Sequence, residues 1–356
     1  MGMWKRLRIL VITDKLDFGG AEMYFCKLEN LLHDSNITFH FAAGNGQLYE
    51  RIKNKQRFHE LSRTSHIQNI KKLVKIVLEE KIELVHANSL RMVLYCICAR
   101  KISTIKFKII YTKHNVTILE NRCRRAFAFL INRCVERVIT VSDFEKNSLM
   151  EAGIKANKIT TVYNGVDLNQ FGFIQKEKGD FFKIGILARL SEEKNHELFI
   201  RIADQLRDIP HFKFYIAGDG PRKQKIKSMI ETCNLSHKIK LVGAVNRPEE
   251  FIKNIDILLL TSYREVFPMV ILEAMAVGTN IIAIDRGGIK EAIFEKETGF
   301  LISSHSADEF CRIILEMESD ESLKYKLIEN ARRKVEEEFS LDKMVENTLR
   351  EYRKCY

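Results

Sequence analysis

The chain has 356 residues, 46% of them hydrophobic and 29% charged, too long for one ordinary core and suited to two domains of roughly 100–200 residues each. Only four prolines and no Ser-, Gly- or Pro-rich tract exclude a long disordered linker. The net charge of +11 belongs to one half: residues 1–170 hold 28 Lys/Arg against 16 Asp/Glu, and the remainder 30 against 31. A basic half reads as a surface for nucleic acid, anionic lipid or an acidic substrate, or else as scattered solubilising lysines.

The first segment, MGMWKRLRILVITD, has basic residues and an apolar run that Asp14 ends too early for a signal-peptide core. No window approaches the ~18 apolar residues of a membrane span, so a cytoplasmic protein is expected. Strands are predicted at 7–13, 38–43, 84–88, 107–112 and 137–142, with helices at 20–33, 66–80, 90–100 and 121–136 between them. The second half repeats the rhythm with strands at 182–188, 212–217, 239–243, 256–261 and 280–285. Strands apolar on both faces and separated by helices imply parallel sheets covered on two sides. The fold class is therefore α/β: two Rossmann-like doubly wound domains, joined near 163–173 and facing a central cleft, where such folds bind ligands. The expected domains are 1–170 and 171–338, followed by a terminal helix over 339–356, N-capped by Ser340, that packs back toward the first domain. Eight cysteines include no C-x-x-C, so Cys96 and Cys98 read as packing residues in a reducing compartment.

Four segments can carry chemistry. In DKLDFGGAE (14–22), Gly19 and Gly20 open the first helix; the pair serves either as a tight turn or as an anion site at a helix N-terminus. In ILARLSEEKNH (186–196), Arg189 and Lys194 lie five residues apart across a strand-to-helix turn. They are either two surface charges or a pair converging on a diphosphate. AGDGP (217–221) is a second such turn, with Pro221 suited to the first helical position. In EVFPMVILE (265–273), Pro268 is expected at N1 of a buried helix running from Met269 to Val277 and ending at Gly278. The first-turn amides of Met269 and Val270 are then free for a phosphate. Glu265 and Glu273 flank the run, and Glu273 requires either an internal salt bridge or a hydroxyl-rich ligand.

Taken together and in order, GGAE (19–22), VYNGVD (162–167), ARLSEEKNHELFI (188–200), AGDGP (217–221), EVFPMVILEAMAVGTNIIA (265–283) and DRGGIKEAI…ETGFL (285–301) resemble the retaining GT-B glycosyltransferases of glycosyltransferase family 4. The resemblance implies that Glu265 faces the donor sugar and that Glu273 holds the nucleotide ribose. It further implies that Arg189 and Lys194 neutralise the donor diphosphate, assisted by amides at Gly19–Gly20 and Met269–Val270 beside Pro268. His114, in YTKHN, stands at the family's active-site histidine position near the transferred sugar. Val266 departs from the small residue many relatives carry there, so the sugar pocket does not follow by analogy.

The implied activity moves a hexose or N-acetylhexosamine from a nucleotide-diphosphate sugar (UDP before GDP) to a glycan or lipid-linked acceptor, in surface polysaccharide synthesis. No cofactor or metal is expected, since the sequence contains no D-x-D. The basic segment 121–137 suggests either an ordinary core-facing helix or a peripheral site on an anionic membrane. Two alternatives compete: a nucleotide-sugar 2-epimerase on the same scaffold, and a basic nucleic-acid-binding protein. No distinctive second acid–base pair supports the first, and no RNA- or DNA-binding motif supports the second.

Overall fold

Runs such as Ile9–Ile12 and Ile257–Leu259 have no polar face to turn to water, so they must lie inside a sheet covered on both sides. In the structure, a computed structural model describing residues 6–17, 19–103, 106–114, 117–177 and 179–355, these runs are buried along their whole length.

The chain divides into two compact units, Met1–Asn164 with Met344–Tyr356, and Gly165–Lys343. The first holds β1 (Leu7–Lys15), β2 (Ile37–Gly44), β3 (Phe58–Leu61), β4 (Leu84–Ala87), β5 (Lys108–Lys113), β6 (Arg137–Thr140) and β7 (Ile159–Thr161). They form one parallel sheet in the order β3-β2-β1-β4-β5-β6-β7. The second holds β8 (Phe182–Leu187), β9 (Phe212–Ala217), β10 (Ile239–Gly243), β11 (Ile257–Leu260), β12 (Asn280–Ile284) and β13 (Phe300–Ile302). Their parallel order is β10-β9-β8-β11-β12-β13. Each sheet reverses direction once, between β1 and β4 and between β8 and β11, creating the switch point where doubly wound sheets receive ligands.

Residues 165–171 and 339–341 clasp one another within the second unit. Val166 pairs with Ser340, its N–H donating to the Phe339 carbonyl at 2.9 Å and its carbonyl accepting from Leu341 N–H at 3.1 Å. The two compact units divide at 164 and 343, a few residues from the expected 170 and 338. From Met344 the terminal helix (Leu341–Lys354) belongs to the first unit. There Glu351 binds Arg137 at 2.7 Å, and the Tyr352 hydroxyl meets His86 Nδ1 at 2.6 Å.

Several local expectations are corrected. The helix expected over 121–136 is two helices, Ile118–Arg122 and Arg124–Cys134, broken at Cys123 with φ −138° and ψ 56°. Arg137 lies on β6, not on that helix. Cys96 is buried as expected, but Cys98 is exposed. Pro221 precedes its helix, which starts at Lys223 after Arg222.

Burial lowers the pKa of His86 to about 3, with a further push from His114, and that of His196 to about 4, with Lys194 and Arg222 adding to the effect. Unfolded histidine takes up its proton near pH 6.5, whereas these two rings stay neutral in the fold well below that. Stability is fully present above pH 6.5 and declines as pH falls toward 4 and then 3. Both ring nitrogens of His196 are buried with no hydrogen-bond partner among the described residues. Thermal melts between pH 7 and 4 should show a falling Tm, and His196→Leu should flatten that acid limb. An unchanged slope in the variant would remove His196 from this account.

Candidate active site

The second unit builds its site at the carboxyl ends of β8 and β11. Beyond β8, the loop 188–190 continues the sheet ladder: Ala188 N–H donates to the Ala217 carbonyl at 3.0 Å, and Leu190 N–H to the Asp219 carbonyl at 3.0 Å. This close approach requires glycine. Gly218 has φ +137°, and a Cβ there would sit 1.9 Å from the Ala188 carbonyl oxygen. The AGDGP turn is thus the support on which Arg189 stands, although Arg189 itself is exposed.

Lys194 ends a short 3₁₀ turn, Glu192–Lys194. Asn195 follows in the left-handed region at φ 50°, and its side chain accepts from Leu198 N–H to cap the helix His196–Gln205. Thr261 Oγ1, just past β11, donates to the Lys194 carbonyl at 2.9 Å, and Tyr263 N–H donates to the Glu193 carbonyl at 2.8 Å. Lys194 is held from both strands of the switch point. Its ammonium lies 2.6 Å from Glu265 Oε1, with only 23% and 8% of the two side chains exposed.

Glu265 is fixed by its own backbone. Gly288 N–H donates to the Val266 carbonyl at 2.9 Å, and a Cβ on Gly287, at φ +62°, would come within 1.8 Å of the Glu265 carbonyl oxygen. The following helix, Met269–Val277, ends at Gly278 with φ +86°. Pro268 is its N-cap (φ −74°, ψ 122°) rather than N1. Ile271 N–H already donates to the Pro268 carbonyl at 3.2 Å, which leaves the Met269 and Val270 amides as the helix-end donors. A cavity of about 220 Å³ is lined by Arg189, Lys194, Glu265, Pro268, Met269 and Val270, with apolar walls from β8 and β11. Glu273 does not line it. It is half-buried on the helix stripe of Met269 and Val270, three to four residues on, while Ile271, Leu272 and Ala274 face the core.

Gly19, Gly20 and His114 belong to the first unit. Gly19 is the N-cap of the helix Gly20–Leu31, in extended conformation at φ −175°, and a Cβ on Gly20 would meet nothing within 4 Å. This helix end is rich in carboxylates. Asp14 pairs with Arg91 at 3.1 Å, Asp17 pairs with Lys15 and Arg63, and burial raises the Glu22 pKa with Asp14 and Asp17 contributing. His114 follows β5 and packs edge-on against Tyr24, ring centroids 4.7 Å apart. Burial, then Lys113, lowers its pKa to about 3, so the ring is neutral at physiological pH. Lys113 is itself fully buried between Glu120, at 3.2 Å, and Glu145.

Three features of these sites escaped the sequence reading. One is the Lys194–Glu265 pair, 71 residues apart in the chain. Another is the pair of glycines, Gly218 and Gly287, whose close approach to the Ala188 and Glu265 carbonyls the motifs AGDGP and DRGGIKEAI do not disclose. The third is Asn88, just past β4, whose amide nitrogen and oxygen are buried without partners among the described residues. Its position next to the first unit's switch point was the available signal.

Two family models match the chain and meet near residue 170. The family model described as "Glycosyltransferase Family 4" matches residues 18–170, and "Glycosyl transferases group 1" matches 169–334. An uncharacterized glycosyltransferase of Methanocaldococcus jannaschii is 28% identical over 347 residues, covering 94% of each chain. The UDP-Gal:alpha-D-GlcNAc-diphosphoundecaprenol alpha-1,3-galactosyltransferase of Escherichia coli is 25% identical, covering 79% of each. Among solved structures, Anabaena HepE in complex with UDP and glucose superimposes with a TM-score of 0.82 at 20% identity, covering 98% of this chain and 99% of that one. That likeness shows the fold, GT-B.

The glycine contacts make a paired prediction. Gly287→Ala, which forces a side chain onto the Glu265 carbonyl at positive φ, should cost on the order of 1–3 kcal/mol in urea unfolding. Gly20→Ala, with open space around it, should leave stability unchanged. Equal stability for both would remove the stated reason for Gly287.

Proposed function

The chain belongs to glycosyltransferase family 4, and from that premise we propose that it transfers a hexose or N-acetylhexosamine, with retention, from a nucleotide-diphosphate sugar to a glycan or lipid-linked acceptor. The carrying observation is the cavity that gathers Arg189, Lys194, Glu265 and the first amides of the helix Met269–Val277. A departing nucleoside diphosphate develops negative charge at its terminal phosphate, and fixed cations and helix-end amides stabilise it. Arg189, Lys194, Met269 and Val270 bind that diphosphate, Pro268 sets the helix entry, and Glu273 receives the ribose hydroxyls. Glu265 orients Lys194 and faces the sugar.

Glu265 is the sole carboxylate among the cavity's lining residues, and it is held by Lys194. A carboxylate so engaged is a poor nucleophile, which favours a front-face ion-pair route over a covalent intermediate. It also disfavours a 2-epimerase, which needs an acid and a base at C2. The charges that accept the leaving group are side chains and amides, so the reaction proceeds without a metal. In the first unit, Asn88 and the neutral His114 offer hydrogen bonds to acceptor and sugar hydroxyls, with Gly19–Gly20 supplying helix-end amides. His114 acts there as a neutral hydrogen-bonding group, not as a proton donor.

The donor is a UDP-sugar in preference to a GDP-sugar, supported by the UDP seen in Anabaena HepE and the UDP-Gal named for the Escherichia coli relative. That relative's diphosphoundecaprenol acceptor supports a lipid-linked substrate and a role in surface polysaccharide synthesis. No described helix is long and apolar enough to cross a membrane. Contact with an anionic leaflet is assigned to the stripe Arg125, Phe129 and Arg133, spaced by four on the helix Arg124–Cys134, with Phe129 67% exposed and Phe127 and Ile131 turned into the core.

The deciding experiment incubates the protein with UDP- and GDP-sugars and lipid-linked acceptors and analyses products. Transfer from a UDP-sugar is expected; free epimerised nucleotide sugar without acceptor would overturn the reading. Lys194→Ala and Glu265→Gln should each lower kcat about 10²–10³-fold with unchanged circular dichroism, and EDTA should leave wild-type turnover intact. Flotation with anionic liposomes at low salt should recover the protein, and Phe129→Ser with Arg125→Glu and Arg133→Glu should abolish it. Wild-type protein left at the bottom of the gradient would remove the membrane assignment.

A further inference from the structure

Outside the sites above, His40, His59 and Glu80 form the one group of three His, Cys, Asp or Glu among the described residues whose ligand atoms all lie within 4.8 Å of one another. They come from three elements of the first unit. His40 is on β2, His59 on the edge strand β3, and Glu80 is the C-cap of the helix His66–Glu79. We propose that these three side chains bind a divalent transition ion of the zinc class, with water completing the coordination, and that the ion ties the edge strand and this helix end to the sheet.

The chemistry fits in three respects. Two imidazoles and a carboxylate are the donor set of zinc and its neighbours, not of magnesium or calcium. One donor atom from each residue lies within 4.8 Å of the other two; His59 Nε2 is 3.5 Å from His40 Nδ1, while Glu80 Oε2 is 3.7 Å from the opposite nitrogen of that ring. Bonds of about 2.1 Å place the donors of a tetrahedral ion about 3.4 Å apart, so one His40 nitrogen serves the ion and the remaining side chains rotate inward to close the set. The carbonyl end of a helix favours positive charge beside it, and Glu80 stands at that end.

The supports are also in place. Glu80's carbonyl accepts from Arg8 Nη1 at 3.0 Å, which fixes the helix end. The two rings stack at 5.7 Å with planes 24° apart. Burial lowers both histidine pKa values, His59 and cations at Arg57 and Arg8 adding for His40 and Lys72 for His59, so both rings are neutral and their lone pairs available. The same cations oppose an incoming ion, and Glu80 and Glu79 offset them. This balance suits micromolar binding rather than that of a closed structural site. The ion takes no part in sugar transfer, whose charge-bearing groups lie in the second unit.

The test uses untagged full-length protein, stripped with chelator and titrated with Zn²⁺ by calorimetry, with Co²⁺ as a visible reporter. One equivalent should bind, raise Tm by a few degrees and give Co²⁺ absorption bands. His59→Gln and Glu80→Gln should each weaken Zn²⁺ binding on the order of 100-fold and abolish the Tm rise. The exposed His33, changed to Gln, should alter nothing. Should His59→Gln fail to fold, Glu80→Gln at a partly exposed carboxylate carries the test. Absence of stoichiometric binding, or binding retained in Glu80→Gln, would overturn the proposal.

Discussion

The contact between Lys194 and Glu265 holds the second unit's site together. A carboxylate only 8% exposed among β-strand ends and an apolar helix has little water to stabilise it, and the ammonium 2.6 Å away replaces that water. The pair joins the loop after β8 to the loop after β11, the two loops that frame the switch point. Removing either partner leaves a largely buried charge unpaired, which is costlier than never having buried it. A phosphate bound as proposed would meet Lys194 already oriented by its carboxylate, with Arg189 exposed at the cavity rim.

Backbone geometry makes that contact possible. Gly218 lets the AGDGP turn lie against the Arg189 loop, and Gly287 lets a second turn lie against the Glu265 loop. Thr261 then fastens the Lys194 carbonyl. Each charged side chain is thus held by a neighbouring main chain rather than by long side-chain networks. Main-chain support costs little rotamer entropy, which suits the proposed role of presenting fixed groups to a diphosphate.

What the sequence disclosed follows the same physics. Interior strands were legible because burial on both faces leaves continuous apolar runs; β3, β7 and β13 were missed because each is a short edge strand with half-buried or polar positions. The helix at Met269–Val277 was placed to the residue, since Pro268 and Gly278 punctuate it, yet Pro268 proved to be the cap because its ψ of 122° is not helical. The break at Cys123 left no trace, as neither Gly nor Pro marks it. Motif spacing singled out Arg189, Lys194 and Glu265, but their convergence depends on strand order, and order is a property of the sheet, not of any segment.

The two switch points are alike in topology and opposite in chemistry. In the second unit the charged groups at the cavity are paired, Lys194 with Glu265, Ser191 with Glu193 and Thr261 with the Lys194 carbonyl, while the neighbouring His196 ring and Asn195 amide nitrogen have no partner among the described residues. Such a site can bind a charged ligand by exchanging partners without exposing an orphaned group. In the first unit, Asn88 and His114 Nε2 are buried without partners among the described residues, beside a helix end crowded with Asp14, Asp17 and Glu22. Unpaired buried amides and imidazoles cost stability and persist where something supplies the missing hydrogen bonds. Neutral hydroxyls do so without disturbing those carboxylates, of which Asp14 is paired with Arg91 and Asp17 with Lys15 and Arg63. On the proposed reading, the second unit's cations and helix-end amides suit an anionic group, and the first unit's unpartnered amide and imidazole suit hydroxyls.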